Sequence, residues 1–299
     1  MQVGIALGGG GAKGLAHIGV LRVLESAQVP LDLIAGTSAG SMVGALYAAG
    51  KSPNDIERIA RQVRLPQLLT RDRSGRGLFS TDGIRRIIET EIGKATRIED
   101  LPRAFAAVAV DVDSGAEVVF DHGLVADAVC ASCAFPGLFA PVRIDGRCYF
   151  DGGVTNSVPF DVVRRCGADR VIAVDLGADE PFFTVALPHR RHGELFYRLL
   201  FLAGNQKTLR VASRAIGIMS KQMRQWKLEQ SPPDSILRPA VQGVGLMDFD
   251  LAKDCIAAGE KAAREALPQI ERLLAMPRWE YESRKMFARI QHSKDLRAT

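Results

Sequence analysis

Residues 31–40 impose the tightest constraint on this chain. Leu31 to Ala35 (LDLIA) is a short apolar run of strand length, and Ser41 to Ala49 is a small-residue helix pattern stopped by Gly50. Between them stand Gly36, Thr37, Ser38, Ala39 and Gly40. A strand that must reverse into a helix within five residues needs a sharp bend, and glycines two positions either side of Ser38 permit it. Such a bend leaves the Ser38 hydroxyl exposed and aims the positive end of the following helix at any charge developing on a bound molecule. Alone, a GxSxG pattern also marks plain glycine turns, so it gains meaning only from partners elsewhere in the chain.

The flanking segments repeat the same alternation. Residues 2–7 (QVGIAL) read as a buried strand, Gly8 to Gly11 as a loop, and Ala12 to Ser26 as a helix halted by Pro30. Ser52, Pro53 and Asp55 start another helix, as does Ser80 or Thr81. Phe105–Val112 and Glu117–Phe120 form one hairpin, and Val142–Ile144 and Arg147–Phe150 a second around Asp145 and Gly146. A helix from about Pro159 to Cys166 leads into a last buried strand, Arg170–Leu176. This order predicts an α/β fold of three layers, a mixed and largely parallel sheet with helices on both faces. With 299 residues, 47% of them hydrophobic, the chain can bury a core of that size. We expect one domain over 1–275, with a core at about 3–177 and a helical basic extension at about 190–275. A polar tail over 276–299 follows, loose past Pro277. Arg71 to Gly77 (RDRSGRG) reads as a mobile loop able to flank a cleft.

Two further clusters bear on chemistry. Gly9, Gly11 and Gly14 fit the GxGxxG spacing of a dinucleotide loop, but such a site wants an acid at the far end of the second strand. Asp32 stands at its beginning. A P-loop fails because Leu15 and Ala16 follow Gly14 where Lys and Ser or Thr are required. What remains is a nest of amides from Gly9, Gly10, Gly11 and Gly14 at a helix N-terminus, with Lys13 adding positive charge, suited to an acyl oxyanion or a phosphate. The second cluster is Asp151, Gly152 and Gly153, where a hairpin strand (RCYF) delivers a carboxylate to a flexible turn.

Taken in order, GGGGAKGLAHIGVL, GTSAG, ASCAFPGLFAPV, DGGVTNSVP, RVIAVDLG, RPAVQGVGLMDFD and GEKAA resemble the patatin-like phospholipase family over residues 3 to 265. The likeness is greatest to its small bacterial members and to the catalytic domain of neuropathy target esterase. The resemblance implies a serine lipid hydrolase with no cofactor, Ser38 as nucleophile and Asp151 as general base. It also implies an oxyanion hole around Gly9 to Gly11 with Lys13, and Gly36, Gly40, Gly152 and Gly153 as motif support. Lys13 stands where Arg is also common, and Gly153 where some relatives carry Ala. The expected substrate is a lipid acyl ester, phospholipid or lysophospholipid. Other classes in play are a nucleotide-binding protein and a catalytically idle scaffold; the misplaced Asp32 argues against the first, and Ser38 with Asp151 against the second.

Other residues invite competing readings. His17 tempts one toward a Ser-His-Asp triad, but its neighbours Ala16 and Ile18 mark it as a packed helical side chain. Cys130 and Cys133 form a single CxxC with no second pair, so no metal is expected, and the five cysteines should be reduced and buried. The net charge of +5 concentrates at residues 190–227, where Leu195–Leu202 (LFYRLLFL) and its basic neighbours suit either core packing or an anionic membrane surface. No reading motif accompanies that charge, which argues against nucleic acid. With no signal-peptide pattern and no apolar stretch of spanning length, the chain reads as cytoplasmic, with peripheral contact at the inner membrane face as an option.

Overall fold

The computed structural model describes residues 1–177, 206–284 and 286. The chain opens with β1 (Val3–Leu7), a 3₁₀ turn (Gly11–Leu15), α1 (Ala16–Ser26), β2 (Leu33–Thr37) and α2 (Ala39–Ala48). It continues with α3 (Pro53–Gln62), the single turn α4 (Leu65–Leu68), a small hairpin of β3 (Thr70–Arg71) and β4 (Phe79–Ser80), and α5 (Asp82–Ile92). Next come β5 (Ala104–Asp111), β6 (Glu117–Phe120), α6 (Val125–Ser132), β7 (Val142–Ile144) and β8 (Arg147–Asp151). A 3₁₀ turn (Gly152–Val154), α7 (Phe160–Arg165), β9 (Arg170–Val174), α8 (Gln206–Gln230), β10 (Ser235–Leu237) and α9 (Ala252–Ala275) complete it.

The main sheet runs β10-β9-β1-β2-β5-β8-β7, with β6 also on β5. Pairings from β10 to β5 are parallel, and those of β6, β7 and β8 are antiparallel. Alternation along the strands feeds two cores. Val3, Ile5 and Leu7 of β1 join one with α1, α2, α3 and α9, whereas Ala6 joins the other with Phe160, Val162 and Val163 of α7. Ile172 and Val174 of β9 split from Val171 and Ala173 in the same way. The fold is therefore the expected three-layer α/β arrangement.

One feature of the register brings distant residues together. Ala107 pairs with Gly36 of β2 and Phe120 of β6, so those strands lie on opposite edges of β5. Ala109 pairs with Val118 of β6 and Asp151 of β8, which puts β8 on the same edge as β2. β2 ends at Thr37 opposite Val108, and β8, arriving from the other direction, ends at Asp151 opposite Ala109. Two strands abut end to end, and Ser38 and Asp151 stand at the junction.

Several local expectations change. The Arg71–Gly77 loop is organised by Asp72, whose carboxylate accepts from the N–H groups of Ser74, Arg76 and Gly77. Beyond Pro277, residues 278–284 are helical, and Tyr281 is buried with its hydroxyl donating to Asp234. All five cysteines are free, but Cys166, just past the end of α7, is exposed, and Cys148, on β8 beside the edge strand β7, is half-buried. Leu195–Leu202 lies outside the described residues.

Candidate active site

Ser38 has φ 53° and ψ −125°, a conformation costly for a residue with a β-carbon and held only where the surroundings over-determine it. Three hydrogen bonds do so. The Ser38 N–H donates to Ser132 Oγ at 2.9 Å, the Ser38 carbonyl accepts from Ser41 Oγ at 2.7 Å, and Thr37 Oγ1 donates to the Asn156 carbonyl at 2.8 Å. Close approach requires the flanking glycines. A β-carbon on Gly36 would lie 2.5 Å from the Gly40 carbonyl oxygen, and one on Gly40 would lie 2.1 Å from the Leu7 carbonyl oxygen.

Asp151 is 1% exposed. Its Oδ1 accepts from the Gly153 N–H at 2.7 Å, while Oδ2 is buried without a hydrogen bond of normal geometry among the described residues. Burial pushes the carboxyl up to about 7; the Ser38 hydroxyl and the Gly153 N–H oppose that rise only in part. The Ser38 hydroxyl is thus near enough to favour the carboxylate, though not aligned as a full hydrogen bond. Gly152 fits beneath this turn because a β-carbon there would meet the Val108 carbonyl at 2.3 Å.

The glycine loop is more differentiated than its sequence indicates. The Gly9 N–H donates to the Ser157 carbonyl at 2.9 Å and is occupied in holding the loop. The Gly10 and Gly11 N–H groups donate to no described residue, and Gly11 lines the same cavity as Ser38. Gly14 serves packing: a β-carbon there would come within 2.5 Å of that of Ala39. The Lys13 charge lies close enough to Cys255 in α9 to act on its thiol. Ala39, first residue of α2, also has an N–H without a described acceptor, as the first turn of any helix does. Sequence reasoning missed Ala39, Ser132 and Asn156; the only sign of Ser132 is a hydroxyl inside the apolar run VCASCAF.

His17 is fully buried, with Nε2 2.7 Å from the Gly8 carbonyl oxygen. A carbonyl only accepts, so this nitrogen carries the proton, and burial pushes the imidazole down to about 4, keeping it neutral. It braces the loop and makes no hydrogen bond to Ser38 or Asp151. Asp32 accepts from the Val3 N–H at 2.8 Å at the opposite end of the sheet, away from the glycine loop.

An apolar cavity of about 130 Å³ opens beside Ser38. Its walls are side chains from α1, α2 and α3 together with Leu68, Leu69, Cys133, Phe139 and Phe249.

The patatin-like phospholipase model matches residues 5–164, which span the glycine loop, the Ser38 bend and the Asp151 turn. The chain belongs to the patatin-like phospholipase family. It is 36% identical over 181 residues to an NTE family protein of Mycobacterium tuberculosis (strain ATCC 25618 / H37Rv), covering 60% of this chain and 50% of that protein. It is also 36% identical over 186 residues to human patatin-like phospholipase domain-containing protein 6, covering 60% of this chain and 14% of that protein. The chain thus spans half or less of these curated relatives. The crystal structure of VipD from Legionella pneumophila superposes with a TM-score of 0.54 at 13% identity, covering 90% of this chain and 66% of VipD; this likeness concerns the fold.

Proposed function

We propose that this member of the patatin-like phospholipase family hydrolyses the acyl ester of a lipid, a phospholipid or lysophospholipid, through a dyad of Ser38 and Asp151. One observation carries the reading: a strained serine and a buried carboxyl poised near pH 7 stand at the junction of two strands, beside an apolar cavity. A base whose pKa lies near the working pH combines a usable charged fraction with enough proton affinity to act.

In the first step Asp151 takes the Ser38 proton as Oγ bonds to the ester carbonyl carbon. The carbonyl oxygen becomes an oxyanion, met by the N–H groups of Gly10 and Gly11 and by the start of α2 at Ala39. Collapse breaks the bond to the leaving alcohol, which receives the proton from Asp151, and leaves the acyl group on Ser38. Water then gives a proton to Asp151 and attacks the acyl carbon; collapse returns the proton to Ser38 and frees the fatty acid. The cavity takes the acyl chain, whose methylenes find only apolar walls there.

Ser38→Ala tests this directly. It should abolish hydrolysis of a nitrophenyl ester and of lysophospholipid, and block labelling by a fluorophosphonate, with the melting temperature kept. Residual turnover within tenfold of the parent would assign the chemistry to another group.

A further inference from the structure

Helix α8 has two unlike faces. The inner one packs Ile216 and Leu228 on the apolar cores and carries charges held in ion pairs. Arg224 pairs with Asp175, and Lys227 Nζ donates to Glu117 at 2.7 Å and Asp161 at 2.9 Å. On this side the helix packs against the Gly152–Val154 turn, whose N-cap is Asp151. These contacts withdraw two of the helix's bases from the surface charge that the sequence predicts.

The outer face is apolar. Val211, Ile218, Met219, Met223 and Trp226 are between 39% and 69% exposed. At 3.6 residues per turn they fall within a sector about 140° wide, an apolar stripe interrupted by exposed Gln222 and, in the last turn, by Glu229, and still one that folded domains rarely leave uncovered. Along one border stand exposed Arg214 and Lys221, in a helix whose sequence holds a single acid, Glu229.

We propose that this stripe docks on an anionic lipid surface, with Ile218, Met219, Met223 and Trp226 at the acyl boundary and Arg214 and Lys221 among the phosphates. Charge complementarity selects the occupant. A second copy would bring another chain of net charge +5 against a basic border, whereas anionic lipid brings the opposite sign. Docking sets the lipid against the helix that packs on the Asp151 turn. The inference does not rest on the hydrolase reading, since a Ser38→Ala protein should dock equally well.

The test uses the full chain carrying Ser38→Ala, so that vesicles stay intact. Trp279→Phe is added, which leaves Trp226 as the only tryptophan of the two in the sequence. Co-sedimentation should favour vesicles of phosphatidylglycerol and phosphatidylcholine over phosphatidylcholine alone by at least tenfold, less so at high salt, and Trp226 emission should shift to the blue. Replacing Ile218, Met219 and Met223 together with Ser should lower partitioning at least tenfold. In a chain with Ser38 intact, the same triple change should leave turnover of a water-soluble nitrophenyl acetate unaltered. Unchanged partitioning of the triple variant, or Trp226 emission indifferent to vesicles, overturns the proposal. So does conversion of a dimer to a monomer by the triple change, which assigns the stripe to a second copy. A markedly lower melting temperature also overturns it, because the stripe would then be covered by the chain itself.

Discussion

Substituting Asp151 by Asn should trade activity against stability in a manner that depends on pH. Raising this carboxyl from 3.8 to about 7 makes its ionisation in the folded protein less favourable by about 4 kcal/mol, at roughly 1.4 kcal/mol per pH unit. Between about pH 4 and pH 7 the unfolded chain has already lost this proton while the folded protein holds it. The folded state then binds more protons, so stability falls as pH rises and levels off above the folded pKa. Asn carries no such charge. The stability of Asp151→Asn relative to the parent should therefore climb from pH 4.5 to pH 8, by up to about 3 kcal/mol and by at least about 1.5 kcal/mol after relaxation around the buried group. A constant offset is expected as well, since an amide N–H in place of Oδ2 lacks an acceptor, costing about 1–3 kcal/mol at every pH. The slope is thus the diagnostic and the intercept is not. Urea unfolding at four pH values measures it, while kcat should drop by about three orders of magnitude or more. In the parent, kcat/KM should rise through an apparent pKa near 7. A stability difference flat across this range, or an acid limb near pH 4, would refute the poised, buried base.

The cavity and the clamp on the Asp151 turn supply two more predictions. A dry cavity of about 150 Å³ admits benzene, so about 130 Å³ accommodates a chain of about six carbons without rearrangement; kcat/KM for nitrophenyl esters should peak near the hexanoate or octanoate. Ala60→Phe, which fills the α3 wall, should lower octanoate turnover at least tenfold and leave acetate within twofold. Lys227→Met leaves Glu117 and Asp161 with Arg165 and the Asn156 side chain as partners, costing about 1–3 kcal/mol in urea unfolding and lowering kcat more than it raises KM, with partial recovery in Lys227→Arg.

The sequence declares its short-range features. Glycines around Ser38, the Asp145-Gly146 hairpin and the alternating strands each follow from rules acting over a few residues, and the structure contains them with boundaries moved by about two positions. What it conceals depends on pairings between remote segments. Nothing near Gly9 indicates that its amide is taken by Ser157, nor does anything in α8 separate the ion-paired Arg224 and Lys227 from exposed Arg214 and Lys221. Their carboxylate partners, Asp175, Glu117 and Asp161, lie 49 to 110 residues away. The meeting of β2 with β8 is of the same kind, because it is a property of β5's register and not of either motif.

Residues 151–157 explain why the site can be rigid although its parts come from three regions of the chain. The Gly153 N–H fixes the Asp151 carboxyl, the Asn156 carbonyl fixes Thr37 beside Ser38, and the Ser157 carbonyl fixes Gly9 beside Gly10 and Gly11, whose amides have no acceptor among the described residues. The Asp151 carboxyl, the Ser38 bend and the glycine loop are therefore each one hydrogen bond from a single segment. That segment is in turn held from behind, since the Asn156 side chain donates to Glu117 at 3.0 Å and Asp161 at 2.8 Å, the two carboxylates that Lys227 bridges. For the proposed dyad, backbone contacts of this sort supply the positioning that two reacting side chains require. The same chain of contacts ends on α8, which makes the helix with the apolar outer stripe also the one whose inner face steadies the Asp151 turn.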